Sequence, residues 1–390
     1  MIRNFVANHQ QKTLKVWYHQ RQKMTRSGKE SSPMSSQKLR VGVIGAGIGA
    51  FHLAAYARLP QVEIAALAGL DDDRVRRVAT EYQVPTTYRE YGDLLAVPDI
   101  DAVSICLPNA LHAPVTIAAL RAGKHVLIEK PLARNVVEGR AMLAAAAAHG
   151  RVLMIALNHR YRGDVQWVKR YIESGALGTI YYAKAHWMRR SGIPQLGSWF
   201  VNKDLAGGGP LIDLGVHVLD IAMYLMGEPL ARTVSASTYA EFGPRGLKGW
   251  AGRQQTADAR HPYEVEDLAT GFVRLDSGAT LLLEASWATH GPAGDDFGVT
   301  LYGSEGGVEL LVRNYTHENT VRVFHDIHDV PTDLAPRPAK VEGHLGVIER
   351  FVAAAHTGGP QEPSAADGLR RVELIAACYR SAAEGREIAL

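Results

Sequence analysis

Leu39-Arg40-Val41-Gly42-Val43-Ile44-Gly45-Ala46-Gly47-Ile48-Gly49-Ala50-Phe51-His52 decides the fold. Its first six residues read as a buried strand. They run straight into a glycine-rich turn that opens a helix, the arrangement in which backbone N–H groups and a helix N-terminus cradle a pyrophosphate. Gly45 permits the tight turn, Gly47 lets the backbone approach the phosphates, and Gly49 or Ala50 allows close helix packing, with Ile48 between them.

Outward from this turn, strand, turn and helix repeat. Val62 to Ala68 is a second strand, followed by Gly69-Leu70-Asp71-Asp72-Asp73-Arg74. An acid at that strand end pairs with a ribose 2′-hydroxyl, and three carboxylates repel a 2′-phosphate, so NAD is favoured over NADP. The competing reading makes Asp71 a cap of the helix Arg74 to Tyr82. Ala102 to Leu107 is a further strand that ends in Pro108-Asn109, and a helix runs from His112 to Ala122. His125 to Ile128 ends in Glu129-Lys130-Pro131, which aims Lys130 at the nicotinamide end of the crevice, against the plainer reading of a surface lysine in a turn. A helix to His149, a strand from Val152 to Leu157 and the string Asn158-His159-Arg160-Tyr161 close a doubly wound parallel domain over residues 39–160.

Residues 161–390 have another rhythm. A helix from Gly163 to Glu173 leads into the alternating strand Ile180 to Trp187, with further strands expected at 233–239, 267–275, 279–287, 298–303, 307–312 and 321–324. This spacing predicts an α+β domain with a large open, mostly antiparallel sheet. One face of such a sheet buries on helices, and the other suits a second subunit. Residues 241–262 read as a long loop beside the site, and Ala365 to Ala383 as a helix packing back on the body.

Between the first two strands of this domain, Gly208 to Gly227 reads as one helix, with Pro210 in its first turn and Gly227 just past its end. Leu211, Leu214, Val218, Ile221 and Leu225 make a core stripe. Asp213, His217, Asp220 and Tyr224 make a second stripe, which places Asp213 and His217 one turn apart on one face. A histidine near neutral pH beside an acid suits proton transfer at a hydroxyl, whereas the bland reading is a solvated polar face.

The totals set outer bounds. At 390 residues, 46% hydrophobic and 21% charged, the chain is long enough for two globular domains. It contains no run of eighteen apolar residues, so no membrane span is expected. Cys106 and Cys378 are its only cysteines, which fits a reducing cytoplasm and argues against a cysteine-built metal site. Residues 1–40 carry nine Lys or Arg against Glu30, a net of +8; with +3 for the whole chain, the other 350 residues carry −5. The basic balance therefore belongs to a stretch of about 38 residues, expected to be disordered or to precede the true start, and does not point to nucleic acid. His325 and His328 lack a third partner, so no metal site is expected.

Together these stretches resemble the glucose-fructose oxidoreductase, inositol dehydrogenase and rhizopine-catabolism family (Gfo/Idh/MocA), over about residues 39 to 388. The resemblance is carried by the glycine loop at 41–52, Pro108-Asn109 with His112, Gly123-Lys124-His125-Val126 with Glu129-Lys130-Pro131, and Gly207-Gly208-Gly209 with Asp213-Leu214-Gly215-Val216-His217. Two departures stand out: the glycine loop is one residue shorter before His52 than the commoner form, and Gly69 replaces the usual acid.

The resemblance implies a Rossmann domain and a dimer or tetramer formed through the open sheet. It implies a nicotinamide-dependent oxidoreductase acting on a secondary hydroxyl or ketone of a sugar or cyclitol, with Lys130, Asp213 and His217 as the catalytic group and a cis Lys130–Pro131 bond. Cofactor contacts are then expected from Gly45, Gly47, Ile48, Gly49, Ala50, Asp71, Leu107, Pro108, Asn109, His112, Glu129 and Lys130. Substrate contacts are expected from Lys130, Asp213 and His217, with Asn158, Arg160, His186, Trp187 and Arg189 further out. His217 is cast as the base, Lys130 as the cation that stabilises developing alkoxide, and Asp213 as the group that orients and charge-balances the two. An NAD-sensing regulator on the same fold and an NAD-using glycoside hydrolase are the alternatives.

Overall fold

A computed structural model of the chain describes residues 38–250, 262–292 and 294–390. The basic stretch before residue 38 and residues 251–261 of the loop expected at 241–262 lie outside the described residues.

The first lobe contains β1 (Leu39–Ile44), β2 (Val62–Ala68), β3 (Thr86–Tyr88), β4 (Ala102–Ile105), β5 (His125–Ile128) and β6 (Leu153–Ile155). Helices α1 (Gly49–Tyr56), α2 (Asp72–Glu81), α3 (Tyr91–Leu95), α4 (His112–Arg121) and α5 (Val136–His149) connect them. All six strands are parallel, in the order β3-β2-β1-β4-β5-β6. Near-continuous apolar runs such as Val43-Ile44 and Val126-Leu127-Ile128 are what a sheet covered on both faces requires. The strand order reverses between β1 and β4, so the crevice for a dinucleotide opens at their carboxyl ends.

The second lobe contains α6 (Gly163–Glu173), β7 (Ile180–Arg189), α7 (Lys203–Ala206), α8 (Val216–Leu225), β8 (Ala231–Tyr239), β9 (Leu268–Leu275), β10 (Thr280–Ser286), β11 (Asp295–Gly303), β12 (Gly307–Arg313), β13 (Val321–Ile327) and β14 (Val330–Leu334). Two helices, α9 (Gly343–Thr357) and α10 (Ala365–Glu384), and the short β15 (Ile388–Ala389) complete the chain. The sheet has the order β14-β13-β12-β11-β7-β10-β9-β8-β15 and is antiparallel except between β7 and β10. Its edges, β14 and β15, have no apolar alternation and were not expected from the sequence.

The expected single helix at 208–227 starts differently. Leu211–Gly215 is wound as a π-helical turn, and regular α8 begins only at Val216. The glycines before it let the turn dock closely: a Cβ on Gly208 would lie 2.1 Å from the Tyr379 hydroxyl, and one on Gly209 2.2 Å from the Glu266 carbonyl oxygen. The buried Glu266 carboxylate accepts the N–H groups of Gly209 (3.0 Å) and Leu211 (3.1 Å) and the Tyr379 O–H (2.8 Å). Unpaired N–H groups at a helix start thus find an anion, which anchors the turn that carries Asp213. Lys203–Leu225 is long and apolar enough to cross a membrane, but 83% of its most apolar window is buried, as befits a core segment.

Helix α9 returns to the first lobe. Val347, Ile348, Phe351 and Val352 join the core built on Leu53, Tyr56 and Val43. This return carries residues 339–345 past the crevice.

Candidate active site

The glycine turn has the expected form. Gly45 holds φ +106°, and a Cβ there would lie 2.1 Å from the Cys106 carbonyl oxygen, so only glycine fits. At Gly47 a Cβ would meet nothing nearer than Arg74, at 3.8 Å, which leaves room for a phosphate beside the start of α1. These residues fit the pyrophosphate of a nicotinamide dinucleotide. Asp71 caps α2 by accepting the Arg74 N–H at 3.1 Å, as the competing sequence reading has it, and its carboxylate is exposed two residues beyond Gly69.

A cavity of about 760 Å³ lies beyond the turn. Ile48, Leu107, Asn109, Glu129 and Lys130 line it from the first lobe, and Asp213, His217, Trp187 and Arg189 from the second. Asn158 and His159, at the end of β6, close the gap between the two sets.

The Lys130–Pro131 peptide is cis. Lys130 Nζ donates to Asp213 Oδ1 at 2.9 Å and to the Asp213 carbonyl oxygen at 3.0 Å. Asp213 Oδ2 accepts the Trp287 indole N–H at 3.0 Å. Burial alone would raise the Asp213 pKa, but the Lys130 cation, with help from Trp287 and Arg189, holds it below the ordinary carboxylate range. Asp213 is therefore paired with Lys130, and no Asp213–His217 hydrogen bond forms. The π-helical turn offsets the two residues from the one-turn register that the sequence predicts.

His217 is held neutral. Burial first, and the nearby Lys130 charge second, push its pKa well below the ordinary 6.5. His159 packs edge-on against it, with ring centroids 4.6 Å apart, and burial lowers its pKa to about 3. Glu129 lies behind Lys130 and accepts from His52 Nε2 at 2.9 Å and from the Lys130 N–H at 3.1 Å. Against the effect of burial, His52 pulls the Glu129 pKa to about 2. His344, at the start of α9, completes this cluster; one ligand-type atom from each of His52, Glu129 and His344 lies within 4.8 Å of the others.

Three expected contacts fall elsewhere. Arg160 is buried under α8, where it grips Asp220 through two bonds of 2.8 and 2.6 Å and also reaches Glu228. His186 lies on β7 one residue from Trp187, and alternation turns it to the sheet's other face. His112 is buried, with its ring nitrogens 2.7 Å from the Pro131 carbonyl and 2.9 Å from the Leu107 carbonyl, so it braces the loops instead of lining the cavity. The second stripe of the central helix is likewise no solvated face, since Asp220 is buried.

Other lining residues carry no local sequence signal. Arg162 pairs in bidentate fashion with Asp164 (3.0 and 2.8 Å), Tyr315 accepts from Arg189 Nη2 at 3.0 Å, and Trp199 stacks on Phe200 with centroids 3.9 Å apart. His186→Ala is expected to leave kcat/KM within about threefold of wild type. Steady-state kinetics beside Trp187→Ala, which removes a cavity wall, check that assignment.

A dinucleotide turn that opens onto a neutral histidine and a carboxylate-paired lysine fits the class of nicotinamide-dependent dehydrogenases of two-lobe architecture. Comparison with known proteins narrows the class. Residues 39–157 match the family described as "Oxidoreductase family, NAD-binding Rossmann fold", and residues 165–309 match the GFO/IDH/MocA C-terminal domain. The chain belongs to the GFO/IDH/MocA family of NAD-binding sugar oxidoreductases.

D-glucoside 3-dehydrogenase of Escherichia coli (strain K12) is 32% identical over 362 residues, covering 92% of this chain and 99% of that protein. Levoglucosan dehydrogenase of Pseudarthrobacter phenanthrenivorans is 32% identical over 382 residues, covering 89% and 97%. The solved structure of a levoglucosan dehydrogenase in complex with NADH superimposes with a TM-score of 0.80 at 28% identity, over 90% of this chain and 99% of that one.

Proposed function

We propose that this protein oxidises a secondary hydroxyl of a neutral pyranose or pyranoside, reversibly and with NAD in preference to NADP. The observation that carries the reading is Lys130 paired to Asp213 in one cavity with a neutral His217 whose ring has no hydrogen bond from the described residues. NAD, when bound against the glycine turn, supplies the acceptor for the hydride.

The protein's own groups handle the proton. His217 takes it from the hydroxyl as the carbinol carbon becomes a ketone. Lys130 has spent two of its three N–H bonds on Asp213, and the third is free to hold the substrate oxygen as negative charge develops. Asp213 holds Lys130 in place, and Trp287 fixes Asp213.

Charge pairing around the Lys130–Asp213 pair favours a neutral substrate, although the exposed Lys340, which also lines the cavity, has no ion pair among the described residues. Lys130 with Asp213, Arg162 with Asp164, Arg189 with Asp295, and Arg58 with Glu342 are each matched, which leaves these four cations no unpaired charge for a phosphate or carboxylate. The similarity to dehydrogenases named for glucosides and levoglucosan supports sugars over cyclitols. The same reading makes the protein a cytoplasmic homo-oligomer joined through the outer face of the nine-stranded sheet.

The test is a panel of hexoses, methyl glycosides, anhydrosugars, sugar phosphates and cyclitols with NAD and with NADP, followed by absorbance of the reduced cofactor. Turnover of neutral pyranosides with a higher kcat/KM for NAD is expected. Preference for phosphorylated sugars, or product release without net NADH, overturns it.

A further inference from the structure

The rings of His159 and His217 differ from the other buried histidines of the crevice. His52 is bonded through both ring nitrogens, to Ser104 Oγ (3.0 Å) and Glu129 (2.9 Å), and His112 is bonded through both of its own. The rings of His159 and His217 make no hydrogen bond with any described residue; Nδ1 of each is shielded from solvent, so Nε2 is the atom of each ring left to meet a ligand in the cavity that both line. Two neighbouring ring nitrogens without a protein partner in one cavity wall point to a ligand that bonds both.

His159 is also fixed in place. Trp187 and Phe297 hold its ring edge-on, with centroids at 5.5 and 5.1 Å, so it cannot swing away to find another partner. Its ring centroid lies 4.6 Å from that of His217, so a ligand bonded to His217 has His159 as its immediate neighbour. On a sugar ring, the hydroxyl on the adjacent carbon is the nearest neighbour in sequence around the ring that such a second group can bond. A neutral imidazole offers one donor and one acceptor, which matches a hydroxyl better than a charged group.

We propose that His159 hydrogen-bonds a second hydroxyl, on the carbon next to the one oxidised, so that the site selects a vicinal diol. This rests on His217 acting at the oxidised carbinol. His159 is a specificity residue here and takes no part in the proton transfer.

The test compares wild type, His159→Leu and His159→Gln on a methyl pyranoside and on its monodeoxy derivatives, with thermal melting and NADH binding as controls for folding. Loss of the reacting hydroxyl abolishes turnover. Loss of the neighbouring hydroxyl is expected to lower wild-type kcat/KM by roughly 10²-fold or more, because it strands a buried polar group. In His159→Leu the parent pyranoside should fall by a similar factor with no further loss for the neighbour-deoxy compound. His159→Gln should recover part of the preference.

An equal deoxy penalty in wild type and His159→Leu overturns the proposal, as does no penalty in wild type. Calorimetric binding of the same sugars to the enzyme–NADH complex separates the two readings. Diol binding that depends on His159 without turnover overturns the dehydrogenase reading while upholding the role of His159.

Discussion

His217→Ala is expected to lower kcat by roughly 10²- to 10⁴-fold, the worth of a positioned general base, with NADH binding intact. The pH dependence gives a sharper signature. Burial and the Lys130 charge depress the His217 pKa well below 6.5, so the base is already deprotonated at neutral pH. Wild-type kcat/KM should therefore be flat through neutrality, with its acid limb well below the pH at which an ordinary histidine titrates. Lys130→Met removes one of the charges that depress His217, so the limb should move to higher pH. The same change removes the donor to the developing alkoxide, and kcat should fall by roughly 10²- to 10³-fold. Retention of kcat within tenfold of wild type in both variants, or a limb that moves the other way in Lys130→Met, would refute the assignment.

Asp220→Ala should produce the largest loss of stability. Asp220 is buried and accepts from Arg160 and from Arg371 Nε at 3.1 Å, while Glu228 accepts from Arg160 (3.0 Å) and from Arg371 (2.7 and 2.9 Å). Burial by itself would raise the Glu228 pKa, yet Arg371 and Arg160 hold it below its usual range. Removing Asp220 leaves two buried guanidiniums sharing the partly exposed Glu228, with only a longer 3.6 Å contact from Arg160 to Asp367 besides. Breaking such a network from one side costs about 3–5 kcal/mol, whereas an apolar replacement of all its members could be neutral. A thermal melt should show a clear drop; a melting temperature within about one degree of wild type would mean the network contributes little. Activity should follow stability, since Asp220 sits one turn beyond His217 on α8.

Much of this architecture was legible in the chain because it is written in local pattern. The glycine turn, the apolar parallel strands and the alternating strands of the second lobe each follow from periodicity and turn chemistry within a dozen residues. That Lys130, Asp213 and His217 line one cavity was legible because Lys130 stands at a strand end and the other two close together on one apolar segment, although not in the one-turn register expected. What escaped was set by contacts distant in sequence. Asn158-His159-Arg160 forms a 3₁₀ turn in which successive side chains diverge; sequence alone does not say that His159 turns to the cavity and Arg160 to a buried acid. His186 and Trp187 were both assigned to the site, although strand alternation permits only one. The π-helical turn depends on Glu266 and Tyr379, which lie 53 or more residues from Asp213, and so no local signal announces it. His344 reaches the crevice only because α9 returns to the first lobe.

That return bears on how such proteins can be recombined. With Phe351 and Val352 seated among the residues behind β1, the nucleotide-binding half is not finished when the chain leaves it near residue 160. The sugar-facing half is in effect a cassette spliced into its host at two junctions. A graft that exchanges substrate modules should cut on both sides, near 160 and just before Gly343; a single cut would leave the host with a gap in its apolar interior.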